Sequence, residues 1–275
     1  MDRRPMPELL PSAAEPSASD PGAPVRLYPT GGLRKFIADS ASVFELNFLP
    51  AMKHWYVSVL LAAGFPLPWF YVTKAFAPDD PQVLRRLLAG TIAFGVAFSI
   101  GMLVGQNFNG QRFTGVLRLL ITMPVSKGAY FLGSLAHSSI SGAITVVILL
   151  AFALVAGVDI DLQWGLAPSI ILTVLAVSGL TLFVVSFAPS PLVGNLATGM
   201  LSLILVGLSP VYFTMDQAPL LMKLIGYISP LRYAADAIEK SLSGQSDVWV
   251  ELGILSVITI GSLSLGLWRM PWREN

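Results

Sequence analysis

The sequence predicts an all-α membrane protein that crosses a lipid bilayer six times. Six apolar stretches of this 275-residue chain are long enough to cross, because a helix needs roughly 20 mostly apolar residues to span a hydrocarbon core about 30 Å thick. They are residues 55–76, 87–106, 129–157, 164–187, 192–213 and 248–268. Charged residues make up only 12% of the chain, whereas a soluble domain carries about 25%. Most of the chain is therefore expected to lie within the membrane.

Residues 1–31 are expected to form a disordered cytoplasmic tail, and residues 32–275 to form one membrane domain. The tail is rich in proline, serine and alanine, so it has too little apolar surface to offset the entropy lost on ordering. From Leu33 to Phe48, apolar residues then recur at helical spacing with charged residues between them. This pattern predicts an amphipathic interfacial helix before Pro50. The alternative is a ragged start to the first span.

Both termini are predicted to be cytoplasmic, in a multi-pass protein of the cell membrane. An even number of spans places the termini on the same side, and lysine and arginine are enriched in cytoplasmic segments. In this orientation the cytoplasmic segments hold 11 of the 17 basic residues. Arg85 and Arg86 oppose the assignment, because both then lie at the outer side.

Prolines and small residues predict the shapes of individual spans. Pro66 and Pro68 predict a bend in the first span, because proline removes a backbone donor and clashes with the preceding turn. Small residues at every fourth position share one helix face and allow another helix to approach closely. Such rows occur in the second span at Ala93, Ala97, Gly101 and Gly105, and in the fifth at Gly194, Thr198 and Ser202.

A short amphipathic helix is predicted on the cytoplasmic side, between the second and third spans. Arg112, Arg118 and Lys127 supply charge to this segment, and Pro124 ends the helix. Its apolar positions are Val116, Leu117, Leu119, Leu120 and Met123. The segment is either a docking element for another protein or an interfacial loop that contacts lipid headgroups.

Two more short helices are predicted on the outer side, between the fifth and sixth spans. They cover residues 220–228 and 231–242, too short to cross, and prolines and a glycine delimit them. Asp236 and Lys240 are four residues apart on the second helix, a spacing that predicts a salt bridge. Such broken backbone is tolerated at membrane depth only where protein or a water-filled cavity surrounds it.

At these two segments the chain resembles the permease subunits of type-2 ABC exporters, in their drug- and lipid-export branch. The resemblance spans roughly residues 33–270. The first match is carried by Thr114, Gly115, Leu117, Leu120, Pro124, Val125 and Ser126. The second is carried by Ser229, Pro230, Leu231, Tyr233 and Gly244. The chain departs from the family pattern in having Asn107, Asn109 and Gln111 where acidic residues are usual, and Thr114 and Gly115 in swapped order.

The resemblance implies a coupling helix that contacts a separate ABC ATPase subunit. The implied contact residues are Arg112, Thr114, Gly115, Leu117, Arg118, Leu120, Pro124 and Val125. The implied external re-entrant motif comprises Pro210, Pro219, Pro230, Arg232, Tyr233 and Gly244. The sequence contains no G-x-x-x-x-G-K-[ST] motif, so ATP and Mg are expected on the partner chain. A second permease copy, forming a homodimer, is also implied.

The spans favour a hydrophobic or amphipathic substrate, such as a drug, antibiotic, lipid or glycolipid, exported from the cytoplasm or inner leaflet. Apart from His137 they carry no deep ionisable residue. Ion-coupled transport usually requires such a residue. Possible pathway-lining residues are Ser99, Gln106, His137, Asn195, Thr198 and Ser202, each of which is also explained by a packing hydrogen bond.

Other function classes fit the sequence less well. A secondary transporter or channel without an ATPase partner is the main alternative. The chain lacks the serine in a G-x-S-G context beside a histidine base that an intramembrane protease would need. No catalytic, cofactor-binding or metal-binding residue is assigned in this chain, since His54 and His137 belong to different elements, and no nucleic-acid partner is expected.

Overall fold

The computed structural model describes residues 32–53, 55–212, 215 and 218–270. Every regular element in these residues is an α-helix. In chain order the helices are α1 (Leu33–Lys53), α2 (Trp55–Gly64), α3 (Pro66–Ala75), α4 (Pro81–Phe113), α5 (Val116–Thr122), α6 (Lys127–Val155), α7 (Leu166–Val185), α8 (Pro191–Gly207), α9 (Leu220–Gly226), α10 (Pro230–Leu242) and α11 (Trp249–Arg269). The predicted tail, residues 1–31, lies outside the described residues.

The helices are those of a membrane protein, as predicted. Within the described part of the chain, α4, α6, α7 and α11 are long and apolar enough to cross a membrane by length and composition. Helix α8 is apolar but shorter, with 17 residues. The first predicted span is divided into α2 and α3, which meet at Phe65. Pro66 occupies the first turn of α3, where its missing N–H costs nothing, so the span is interrupted where the prolines predicted a bend.

Helix α4 is the centre of the bundle. It packs against α3, α6, α7, α8 and α10, while α11 packs along α7 and α1 packs along α6. Close approach of α1 and α6 depends on Gly133, because a Cβ atom there would lie 2.4 Å from the carbonyl oxygen of Ser40. Helix α5, the start of α1 and the α7–α8 turn lie at one end of the bundle, which we call the α5 end. Helices α9 and α10 lie at the opposite end, the α10 end.

The predicted small-residue rows of α4 and α8 meet each other. A Cβ atom at Gly105 would lie 2.2 Å from Thr198 Cγ2, and one at Gly101 would lie 2.5 Å from Ser202 Oγ. The Ser202 hydroxyl also donates to the carbonyl of Ala97 at 3.3 Å. These rows therefore form a close helix–helix contact of the kind that small residues permit.

Several predicted helix boundaries were wrong. Helix α4 begins at Pro81 rather than at residue 87, because the Asp80 carboxylate caps it by accepting from the Gln82 N–H at 2.8 Å. It also continues to Phe113, through residues predicted to leave the span. Helix α1 continues past Pro50 to Lys53. Helix α8 ends at Gly207, well before the predicted end at residue 213, which is not among the described residues.

Candidate coupling segment and external helices

A left-handed glycine directs the chain from α4 into α5. Gly115 has φ of +84°, a conformation that residues with a Cβ atom rarely adopt. The Leu119 N–H donates to the Gly115 carbonyl at 3.2 Å and closes the first turn of α5. Helix α5 then spans Val116–Thr122, and Met123 follows in extended conformation ahead of Pro124. The predicted short helix is therefore present, with a turn that requires glycine at its start.

Helix α5 has one buried and one exposed face. Leu117 and Leu120 are buried, although the resemblance implied that both contact a partner. Leu119 and Met123 are 62% and 49% exposed. Arg118, which lies on the helix surface between this pair and the buried face, is exposed as well. The buried pair thus holds α5 against its own bundle, while the exposed side presents two apolar groups and a positive charge.

Hydrogen bonds from two lysines hold the ends of the segment that follows α5. The Lys35 ammonium group on α1 donates to the carbonyl of Pro124 and also pairs with Asp39 at 2.8 Å. The Lys127 ammonium group donates to the carbonyl of Met270, after α11, at 2.9 Å. Helix α6 begins directly after this segment, at Lys127, where the Ser126 hydroxyl caps it by accepting from the Ala129 N–H at 3.1 Å. The segment is thus linked to α1 and to the end of α11.

Gln111, shortly before α5, joins three helices. The sequence did not predict this bridging role. Its side-chain oxygen accepts from the Tyr130 hydroxyl on α6 at 2.6 Å, and its amide nitrogen donates to Asn47 Oδ1 on α1 at 2.8 Å. The Asn47 amide in turn donates to the carbonyl of Val43 at 2.8 Å. A carboxylate could accept from Tyr130 but could not donate to Asn47. The departure from an acidic residue at this position therefore has a structural reason.

The remaining implied contact residues differ in accessibility. Arg112 is half-buried and donates to the carbonyl of Ala188 at 3.1 Å, beyond the C-terminal end of α7, where a cation is favoured. Thr114 and Pro124 are exposed, and Val125 is half-buried. Contact of these residues with an ATPase stays a prediction.

At the α10 end, the apolar face of α10 is part of the core. Its five residues are fully buried: Leu231, Ala234, Ala235, Ile238 and Leu242. Ser229 caps the helix by accepting from the Leu231 N–H at 3.3 Å, and Pro230 fills the first turn. The two short helices predicted in this region are present as α9 and α10.

The charged face of α10 pairs differently from the prediction. Asp236 pairs with Arg86 of α4 at 2.5 Å and with Arg232 at 3.5 Å, and Lys240 pairs with Glu251 of α11 at 2.8 Å. The predicted Asp236–Lys240 salt bridge is therefore wrong. The reason is that both side chains reach partners on other helices, which sequence spacing within α10 cannot show.

Arg86 is the centre of this charged cluster. It is only 7% exposed and contacts Asp236, Glu239 at 2.7 Å and the carbonyl of Pro210 at 2.9 Å. Two carboxylates and a carbonyl thus compensate the buried positive charge. Arg86 therefore counts little against the predicted orientation, because its charge is neutralised within the protein.

Tyrosine, arginine and glycine complete the motif that was predicted to be external. The Tyr233 hydroxyl donates to the carbonyl of Tyr227 at 3.1 Å, and the Arg232 guanidinium lies 4.8 Å from the Tyr233 ring centroid. Gly244 ends this region with φ of +76°, and its N–H donates to the carbonyl of Asp161 at 3.1 Å. Pro219 immediately precedes α9.

The residues proposed to line a pathway do not meet in one place. Ser99 is buried against Thr145 of α6 at 3.2 Å, whereas Thr198 and Ser202 are buried in the α4–α8 contact described above. Gln106 is exposed. Asn195 is also exposed and accepts from the Asn109 amide at 2.9 Å, and His137 lies beside a cavity. Pathway lining stays a prediction for all six.

A metal site is not indicated either, because groups of three or more potential metal ligands do not occur in the described residues.

Together, these features define a multi-pass membrane protein with a short helix exposed at one end and a charged, folded cap at the other. The chain belongs to a transporter family: residues 59–268 match the family model described as ABC-2 family transporter protein. This family provides the membrane component of ABC transporters, which in general work with an ABC ATPase. No curated protein matches the chain.

Proposed function

We propose that this chain is the permease subunit of an ATP-driven ABC exporter. It would move a hydrophobic or amphipathic substrate, such as a drug, antibiotic, lipid or glycolipid, out of the cytoplasm or the inner leaflet. ATP and Mg would bind to a separate ATPase subunit, and two copies of this chain would form the membrane pathway. The cell membrane is the expected location, with both termini in the cytoplasm.

The observation that carries this proposal is the exposed face of α5. Arg118, Leu119 and Met123 protrude from the α5 end, while Leu117 and Leu120 fix the helix to the bundle. An apolar and cationic surface on a short, anchored helix suits a groove on a soluble partner better than it suits water. We therefore assign α5 as the coupling helix.

Six membrane crossings are consistent with the lengths of the helices. Besides α4, α6, α7 and α11, we assign α8 and the pair α2–α3 as crossings. An α-helix rises 1.5 Å per residue, so the 17 residues of α8 extend about 25 Å, close to the thickness of a bilayer core. The α5 end is then cytoplasmic and the α10 end is external.

The chain offers a route by which motion of α5 could reach the spans. Lys35 links α1 to the carbonyl of Pro124, and Gln111 links α4 to both α1 and α6. A push on α5 by the closing ATPases would therefore act on α1, α4 and α6 together. In this mechanism ATP binding shifts the population between inward-open and outward-open states of the permease pair.

The lack of charge deep within most of the spans supports the choice of substrate class. In α2, α6, α7 and α8 the charged residue is Lys127 at the start of α6, and His137 is the ionisable residue that lies deepest. A charged substrate would pay a large desolvation penalty in such surroundings. An apolar or amphipathic molecule would not.

Co-purification from the native membrane tests the function. The tagged chain would be extracted in several mild detergents and its partners identified by mass spectrometry. We expect a P-loop ATPase in a one-to-one ratio, and ATP hydrolysis by the complex. A chain that stays without an ATPase under all these conditions would contradict the proposal and favour a secondary transporter or channel.

A further inference from the structure

A small apolar cavity lies where α1 and α2 meet α4 and α6. Its volume is about 200 Å³, and its walls include Phe48, Met52, Leu103 and Ile144. Met52 and the neighbouring Trp55 are both more than half exposed, so the cavity opens at the junction of α1 and α2. Charged side chains are absent among the described residues that line it.

Two polar side chains also line this cavity. His137 and Ser141 are 8% and 4% exposed, and the buried atoms His137 Nδ1 and Ser141 Oγ have no hydrogen-bond partner among the described residues. The two residues are four positions apart on α6 and so share one helix face. Buried polar atoms nearly always have a partner, and an unpaired one destabilises the fold.

Ser141 differs in this respect from three other hydroxyl residues of α6. Ser138, Ser139 and Thr145 each donate to the backbone carbonyl four residues earlier, at 2.8–3.1 Å. Ser141 could satisfy its hydroxyl in the same way with the carbonyl of His137, but it does not. Its hydroxyl is therefore available to a molecule in the cavity.

We propose that this cavity binds the hydroxyl end of an uncharged amphiphile. A hydroxyl group can both donate and accept, so one such group could donate to His137 Nδ1 and accept from Ser141 Oγ. The attached hydrocarbon would contact the apolar walls and leave through the opening between α1 and α2. A charged headgroup is disfavoured because the described lining residues carry no fixed opposite charge that would compensate its desolvation. This site does not depend on the proposed ATPase, because the chain alone carries all of it.

Photolabelling of the full-length chain tests the proposal. The protein would be placed in phosphatidylcholine nanodiscs and labelled with octanol that carries a diazirine group. We expect saturable labelling of residues 48–55 and 137–144, mapped by mass spectrometry. Unlabelled octanol should compete at least about fivefold better than octane or octanoate, the ratio expected for one hydrogen bond. Unsaturable labelling spread over all lipid-facing helices would overturn the proposal.

Two substitutions remove the proposed partners, and a third serves as the matched control. His137→Phe keeps an aromatic ring without Nδ1, and Ser141→Ala removes only a hydroxyl, so the second variant carries the test if the first fails to fold. Each should weaken protection by octanol about fivefold. Ser139→Ala removes a hydroxyl from the same helix away from the cavity and should leave protection unchanged. Equal protection in the Ser141→Ala and Ser139→Ala variants would overturn the proposal.

Lipid analysis then distinguishes the source of the ligand. A hydroxyl-bearing lipid that co-purifies with the washed wild-type chain, and is depleted in the Ser141→Ala variant, would identify a resident lipid. Saturable labelling without such a lipid would identify a site for free molecules from the membrane. Both results support the site, whereas a cavity that holds only water would give neither.

Discussion

Arg86 and Asp236, 150 positions apart in the chain, form a salt bridge of 2.5 Å that ties the start of α4 to helix α10. Glu239 and the carbonyl of Pro210 complete the surroundings of the same guanidinium. Three separate parts of the chain, the start of α4, helix α10 and the segment at Pro210, are thus held together by one buried cation. The folded cap at the α10 end therefore depends on Arg86.

Replacing Arg86 should destabilise the folded cap at the α10 end. Arg86→Leu would leave two carboxylates close together without a counter-charge. Removing one partner of a fully buried ion pair costs about 3–5 kcal/mol. Because Asp236 and Glu239 keep 26% and 30% of their side chains exposed, we expect a loss of about 2 kcal/mol. Denaturant titration in mixed micelles measures the free energy of unfolding.

The neighbour of Arg86 provides the control for this prediction. Arg85 donates to the Pro81 carbonyl of its own helix at 3.2 Å, so Arg85→Leu should change stability little. Adding Asp236→Asn and Glu239→Gln to Arg86→Leu should recover part of the loss. Equal destabilisation by the Arg85 and Arg86 variants would refute the role of this cluster.

The α4–α8 contact should not tolerate a methyl group at Gly105. An alanine there would place its Cβ atom 2.2 Å from Thr198 Cγ2, so the two helices would have to separate. Overpacking of this kind costs about 1–3 kcal/mol. Gly199→Ala is the matched control, because a Cβ atom at Gly199 has no neighbour within 4 Å. Thermal unfolding should show a lower midpoint for Gly105→Ala and an unchanged one for Gly199→Ala.

The turn before α5 should require Gly115 because of its backbone conformation, and not because a side chain would lack space. A Cβ atom at Gly115 would meet nothing within 4 Å, but φ is +84°, which costs a residue with a Cβ atom about 1–2 kcal/mol. Gly115→Ala should therefore reorient α5 and lower ATPase coupling while the chain stays folded. Gly110→Ala, in open space within α4, should leave coupling intact. Unaltered substrate-stimulated ATP hydrolysis in Gly115→Ala would contradict this expectation.

Arg118 should be needed for the proposed coupling and not for folding. Its side chain is exposed on α5, so Arg118→Glu should reverse a charge at the ATPase contact without disturbing the core. We expect at least about a tenfold loss of ATP-dependent transport, equivalent to about 1.4 kcal/mol. Arg34→Glu reverses an exposed charge on α1 at the same end and should have a smaller effect. Normal partner binding and transport by Arg118→Glu would remove α5 from the interface.

Cysteine labelling should establish the orientation. The chain has no native cysteine, so single thiols report without background. Ser246→Cys is exposed at the α10 end and Thr122→Cys at the α5 end. A membrane-impermeant maleimide should label Ser246→Cys in intact cells, and Thr122→Cys only after permeabilisation. The opposite pattern would reverse the proposed orientation.

The sequence by itself determined the local structure of this protein. Uninterrupted apolar segments indicated membrane helices, because a backbone in hydrocarbon must satisfy its own hydrogen bonds. Pro66, Pro124 and Pro230 marked helix boundaries through their missing N–H groups. Gly115 and Gly244 stood where the chain leaves a helix or enters one, and both have positive φ. These signals act within a few residues, so they could be read without the fold.

Only the tertiary structure decided which residues meet. Arg86 looked like an outer-side charge that opposed the orientation, and its partners on α10 are far away in the chain. Gln111 looked like a departure from a pattern, and its contacts with Asn47 and Tyr130 join three helices. The cavity beside His137 arises from four helices together. Such features depend on how whole helices pack, since helical periodicity identifies the faces of a helix but not the partner of each face.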